Sequence, residues 1–219
     1  MKKYNAKTVL DCGCGTGTHA IFLAKRGYNV SAFDYSREQV NLARKKAREN
    51  CVKIDFYVGD IRNFSFGKYD AVISMYAPIM FGCRNKKDLT QALHSMKKAL
   101  TPSGIALVET MTPKMLEGSR IEVKKYVDTK IRTARISFYT FDKKNKRADV
   151  TYVELVNSNG RTVVDESKAR HRYFNKNDFR DAFKKIDAKS LKWYGAFNKK
   201  TGKYDSFSEN SWVITSLFQ

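Results

Sequence analysis

The stretch "TVLDCGCGTGT", residues 8–18, decides how this chain is read. An apolar run of strand character ends at Asp11, glycines stand at 13, 15 and 17, and a helix-like stretch follows from Thr18. Glycine at every second position allows a tight turn that a ligand can approach along the backbone. Cys12 and Cys14 share that turn and raise the alternative of a metal. A metal site needs further ligands at fixed spacing. His19, His94 and His171 offer no C-x-x-C or H-x-x-x-H partner, so small side chains packed inside a turn are expected and no metal. A polyphosphate is disfavoured too. The dinucleotide fingerprint G-x-G-x-x-G requires glycine where Thr18 stands, and no G-K-[ST] follows for a P-loop. The Asp11 carboxylate would repel a pyrophosphate but suits a zwitterionic or cationic ligand.

Outward from the turn, strand and helix signals alternate. "KTVLDCG" is a strand ending at Asp11, and "THAIFLAKRG" is a helix with Gly27 as its C-cap. "YNVSAFD" is a second strand ending at Asp34. Ser36 and Gln39 form a capping-box pattern that opens the helix "REQVNLARKKAREN". "VKIDFYVGD" ends near Asp60, and "YDAVISMY" is a fourth strand. "KDLTQALHSMKKAL" carries Leu89, Ala92, Leu93, Met96 and Leu100 on one helical face, "TPSG" stops it, and "IALVET" is a fifth strand reaching Glu109. Alternation of this kind predicts a mostly parallel sheet covered by helices on both faces. From about residue 118 the rhythm becomes long antiparallel strands joined by turns, up to residue 172. Asn175 caps a short helix, and "KSLKWYGAF" and "NSWVITSLF" complete the main sheet. The expected fold is therefore α/β and Rossmann-like, with seven strands. It forms one domain over residues 1–219, with 118–172 an antiparallel insertion on the substrate side.

In such a sheet, ligands sit beyond the carboxyl ends of the strands. Asp11, Asp34 and Asp60 each end one of three consecutive strands, and Glu109 ends the fifth. Single acidic residues there are ordinary turn formers; three in series around a glycine turn point to a shared ligand.

The bulk numbers set outer bounds. The chain has 219 residues, 42% hydrophobic, with only three prolines, enough for one sizeable core. No apolar run approaches the about 18 residues of a membrane span, and "MKKYNAKTVLDCG" lacks a signal peptide's apolar stretch, so a cytoplasmic setting is expected. The four cysteines are too scattered for a disulfide framework. A net charge of +20 favours anionic partners, including nucleic acid bound in a salt-sensitive way. The excess is spread along the chain, as in a solvated lysine-rich surface, and no dedicated nucleic-acid groove is favoured.

The series D-x-G-x-G-x-G, an acidic residue ending the second strand, and "GD" with an apolar neighbour after the third resembles the class I S-adenosylmethionine-dependent methyltransferases. "FYVGDIRNFSF", "YDAVISMY" and "LTPSGIALVE" follow in the expected order. "CGTGTH", "SM" plus an aromatic, and the antiparallel insertion are similar to small-molecule N-methyltransferases of the amino-sugar type. The resemblance implies S-adenosylmethionine as cofactor, S-adenosylhomocysteine as product, and a small-molecule acceptor, an amine; a monomer or homodimer is expected. It implies that Gly13, Gly15 and Gly17, with Cys12 in the same turn, pack against the cofactor's amino-acid part. Asp11 would fix the loop or the amine. Asp34 would accept from the ribose hydroxyls with Tyr35 beside the adenine, and Asp60 from the adenine amine with Ile61 against the ring. Met75 and Tyr76 would line the wall near the methyl donor. Tyr76 and Glu109 are the candidate catalytic residues, His171 and Tyr173 candidate substrate contacts, and His94 a structural residue.

Two departures bear on this. Strand one begins only a few residues into the chain, where relatives carry a helical segment that closes over the cofactor, so either the form is shorter or another element supplies the lid. "YAPIMFG" is apolar where sugar-modifying relatives place a polar residue, so an amino-sugar acceptor does not carry over. An RNA or protein methyltransferase, or a binding module without catalysis, are the alternatives. Against the first, the [DN]-P-P-[YF] signature of base-amino methyltransferases is replaced by "SMYAPI", and Cys83 lacks the proline that precedes a cytosine-C5 nucleophile.

Overall fold

A computed structural model describes residues 4–76, 78–111, 120–127, 131–142, 144–189, 191–198, 203–208 and 213–219. Two βα repeats and a third strand come first: β1 (Thr8–Cys12), α1 (Thr18–Ala24), β2 (Asn29–Asp34), α2 (Arg37–Glu49) and β3 (Asp55–Val58). β4 (Tyr69–Ser74), the one-turn α3 (Pro78–Gly82), α4 (Lys86–Lys98) and β5 (Leu100–Met111) follow. A four-stranded meander comprises β6 (Arg120–Val127), β7 (Ile131–Asp142), β8 (Arg147–Ser158) and β9 (Arg161–Arg172). The chain ends in α5 (Lys176–Lys185), β10 (Lys192–Asn198), β11 (Lys203–Ser206) and β12 (Val213–Phe218).

The main sheet runs β11-β10-β12-β5-β4-β1-β2-β3. β1 to β5 pair in parallel, while β12 runs antiparallel to β5. Among the described residues the sheet thus has eight strands rather than the expected seven. The additional one, β11, folds back on β10 as a short edge hairpin, and four residues of mixed polarity give no strand period to read. β5 is also longer than "IALVET". Pairing with Tyr69 draws Leu100 into the ladder, and a register shift absorbs the "TPSG" segment. The meander forms a separate antiparallel sheet, β6-β7-β8-β9; residues 118 and 119, the start of the expected insertion, lie outside the described residues.

β1 reverses the strand order: β2 lies on one side and β4 on the other, which opens a crevice above their carboxyl ends. Helix boundaries follow local chemistry. Ser36 accepts the Gln39 N–H at 3.2 Å, and Asn175 with Asp178 forms a reciprocal capping box on α5. The apolar stripe of α4 packs with α5 on one face of the sheet; Leu89, Ala92, Leu93 and Met96 are fully buried there beside Phe179 and Phe183. Beneath the meander, Met80, Ala148, Val150 and Tyr173 form a smaller cluster that joins α3 to β8. The buried Asp178 binds Lys86 at 2.9 Å and Lys146 at 3.2 Å, tying α5 to α4 and to the β7–β8 turn.

Candidate cofactor and acceptor site

The glycine turn is fixed by β2. Gly13 and Cys14 both donate their N–H to the Phe33 carbonyl at 2.9 Å. The Asp34 carboxylate then accepts Gly15 N–H at Oδ2 (2.8 Å) and Ser36 N–H at Oδ1 (3.0 Å). Gly13 and Gly17 are required for two reasons at once. Both have positive φ (73° and 81°), and a Cβ would lie 2.4 Å from Pro78 Cβ at Gly13 and 3.1 Å from Ala43 Cβ at Gly17. Gly17 therefore packs α1 against α2, whereas Gly15 has only Gln39 within 4.0 Å of an added Cβ and fronts open space.

That space is a cavity of about 550 Å³, within the range of small-molecule sites. It gathers Gly13, Gly15, Asp34, Tyr35, Asp60 and Ile61, drawn from the glycine turn and the ends of β2 and β3, and Tyr76 from the turn after β4. Two acceptor carboxylates, an apolar Ile61 and an exposed aromatic at Tyr35 suit the hydroxyls, amine and ring of a nucleoside. The orphaned Asp11 Oδ2 below the turn adds a buried acceptor with no hydrogen-bond partner.

Seven candidates stand outside the cavity lining. Asp11 is 1% exposed, and burial, then the charge of Asp34, push its carboxyl up to about 7, with the Ala20 amide opposing. The Cys12 side chain belongs to the core and burial drives its thiol well upward; Cys14 is buried on the other face. Gly17 serves the α1–α2 contact. Met75 packs against Ile73 and Ile105. Glu109, at the end of β5, accepts the Tyr76 N–H at 3.2 Å, and burial raises its carboxyl. His171 is 3% exposed on β9, with Nε2 3.3 Å from the Tyr152 hydroxyl and its ring edge-on to Phe81 at 4.4 Å. Tyr173 is buried behind α3. His94 lies exposed on α4.

The motif reading missed Arg62, Arg84, Ser36 and Gln39, which all line the cavity, and α3, which brings Pro78, Phe81 and Gly82 to its wall. Arg62 stands two residues beyond the "GD" pair, a spacing that allows a local ion pair; α3 is too short for any helical period. Among the described residues no group of three His, Cys, Asp or Glu side chains is placed to hold a metal, and no helix is long and apolar enough to cross a membrane.

Residues 9–104 match the family model described as "Methyltransferase domain". A dTDP-3-amino-3,4,6-trideoxy-alpha-D-glucopyranose N,N-dimethyltransferase of Streptomyces venezuelae is 30% identical over 105 residues, 48% of this chain and 42% of that protein. A ubiquinone biosynthesis O-methyltransferase of Rickettsia canadensis (strain McKiel) is 32% identical over 104 residues, 47% of this chain and 42% of that protein. The chain thus spans less than half the length of these curated relatives. A solved S-adenosylmethionine-dependent methyltransferase from Clostridium acetobutylicum ATCC 824 superposes with a TM-score of 0.83 at 17% identity, covering 100% of this chain and 86% of that one. Residues 9–104 are thus similar to a methyltransferase domain, and the chain shares the fold of the solved S-adenosylmethionine-dependent methyltransferase.

Proposed function

We propose that this protein transfers a methyl group from S-adenosylmethionine to a small-molecule nucleophile, an amine, as a monomer or homodimer in the cytoplasm. The observation that carries the reading is the pair of carboxylates, Asp34 and Asp60, facing one cavity beside the Gly13–Gly15 backbone. When bound, the cofactor supplies a sulfonium-activated methyl group. Asp34 retains lone pairs for the ribose hydroxyls after accepting two backbone amides, which also fix its orientation. Asp60 accepts from the base, Ile61 contacts its ring, and Tyr35 covers its outer side. Gly13 and Gly15 admit the amino-acid part, and Asp11 below the turn holds the loop or the amine. Cys12, Gly17 and Met75 keep the walls in place.

Glu109 and Tyr76 belong to the acceptor. Burial keeps the Glu109 carboxyl above its ordinary range, which suits a group that takes a proton from the acceptor. Tyr76 has φ +66°, a strained value for a side-chain-bearing residue, and its amide is directed to Glu109 by that conformation. Holding the acceptor nitrogen in line and excluding water supplies the rate. His171 and Tyr173 act on the acceptor through Phe81 and α3. The dimethyltransferase of Streptomyces venezuelae favours nitrogen as the acceptor atom, the Rickettsia enzyme oxygen.

Labelled methyl transfer from S-adenosylmethionine, screened over amines, amino sugars, hydroxylated small molecules, RNA and protein, tests the reading. Incorporation into an amine is expected. Incorporation only into RNA that is retained at moderate salt would replace this reading with the one the +20 charge favours.

A further inference from the structure

Asp60 does not stand free in the cavity. The Arg62 backbone N–H donates to Oδ1 at 2.8 Å, Nε bridges Oδ1 (2.9 Å) and Oδ2 (3.0 Å), and Nη2 donates to Oδ2. Arg62 is itself held: Nη1 lies 3.8 Å from Asp88 Oδ2 on α4, and its carbonyl accepts the Ser95 hydroxyl at 2.9 Å. Asp88 is 8% exposed and also accepts the Arg84 N–H at 2.8 Å, so the network ends in a fixed helix.

An ionised carboxylate offers about four lone-pair positions. Three N–H groups of Arg62 make four contacts with its two oxygens, Nε shared between them, and fix the carboxylate plane as a guanidinium fork does. Both side chains line the cavity and keep 29% and 33% of their surface exposed, so the fixed carboxylate is reachable from it.

We propose that Arg62 is the positioning residue for base recognition: it presents Asp60 as a fixed acceptor that stays ionised, so that the cavity selects a purine with an exocyclic N–H and rejects one with a carbonyl there. The inference rests on the reading of this cavity as the nucleoside site. The charged groups around Asp60 are Arg62, Arg84 and Asp88, with the buried Cys83 thiol behind them. The Arg62 hydrogen bonds hold the Asp60 carboxyl below its usual range, burial opposing, so the acceptor does not become a donor in mild acid.

The test compares S-adenosylhomocysteine with S-inosylhomocysteine, in which a carbonyl replaces the amine, by calorimetry at about pH 7.5 and about pH 5. The wild type should prefer the adenosyl compound about tenfold or more, by the same ratio at both pH values. Arg62→Met should lower that ratio several-fold, because the released carboxylate no longer holds one orientation toward the base. Arg62→Lys restores charge without the fork and should fall between. Loss of a merely structural contact weakens both nucleosides equally. An unchanged ratio in Arg62→Met, with or without equal loss of affinity, overturns the inference and leaves the cofactor reading standing. Should Arg62→Met fail to fold, Arg62→Lys and the wild type's own pH series decide; a wild-type ratio near one, or one that collapses in acid, also overturns it. If the wild type binds neither nucleoside, the cofactor reading falls and this inference with it.

Discussion

The carboxylate of Glu109 accepts the backbone N–H of Tyr76 at 3.2 Å, joining the end of β5 to the turn after β4 beside the cavity. Across the sheet, Glu109 is in register with Thr215 on β12, and Thr215 with Tyr194 on β10. Tyr204 from β11 packs on Tyr194, and burial, then the charge of Glu109, push its phenol up to about 12. A carboxylate and two tyrosines therefore meet at this corner of the sheet.

Glu109→Gln separates function from stability. Burial raises the Glu109 carboxyl, so its ionised form is disfavoured in the folded state, and the associated stability is lost as pH rises through the raised value. The variant should melt higher than wild type at about pH 8, with methyl transfer reduced about tenfold or more. It should also lose the acidic limb of the kcat/KM profile. Unchanged transfer would remove Glu109 from the chemistry.

Asp34→Ala removes two charge-assisted hydrogen bonds to the backbone of the glycine turn and of Ser36. A stability loss of about 1–3 kcal/mol is expected by urea denaturation. The thermal upshift that S-adenosylhomocysteine gives the wild type should largely disappear. A wild-type dissociation constant in the variant would contradict the ribose role.

Gly17→Ala and Gly27→Ala share a backbone penalty but differ in surroundings. Both positions have positive φ, 81° and 83°, and each alanine costs about 1–2 kcal/mol for that alone. At Gly27 an added Cβ meets nothing within 4 Å, whereas at Gly17 it meets Ala43 at 3.1 Å. Gly17→Ala should be the more destabilising in denaturant midpoint, by the cost of moving α1 from α2.

Asp178→Asn tests the link between α5, α4 and the meander. Burial raises the Asp178 carboxyl, but Lys86, the Asn175 amide and Lys146 outweigh it and hold the group below its ordinary value. Its stabilisation is thus present above the unfolded carboxyl value of about 4 and lost as pH falls through the lower folded value. The variant should be about 1–3 kcal/mol less stable at pH about 7, since the lysines it leaves are partly exposed. That difference should shrink below about pH 4; a constant difference down to acid would place the loss elsewhere.

The elements with local signals are legible in the chain. The apolar runs of β1, β2 and β4, the stripe Leu89–Leu93–Met96, and the caps at Ser36 and Asn175 all form where their spacing predicts them. α3 and β11 are not legible, because one helical turn and a four-residue edge strand have no period; neighbouring strands stabilise them. Among the site candidates, strand-end position was readable, but side-chain direction was not. Asp11 and Asp34 both end strands beside one glycine turn, yet Asp11 is buried beneath it and Asp34 lines the cavity.

The chain by itself determined the α/β order, the glycine turn and the acidic strand ends, since backbone sterics and apolar periodicity act over neighbouring residues. Only tertiary structure decided that Asp88 of α4 braces the Arg62 that pairs locally with Asp60, that Pro78 closes on Gly13, and that Tyr204 packs near Glu109. Those relations depend on which strands lie side by side and on how far burial strips water from each charge, and neither quantity exists until the sheet has assembled.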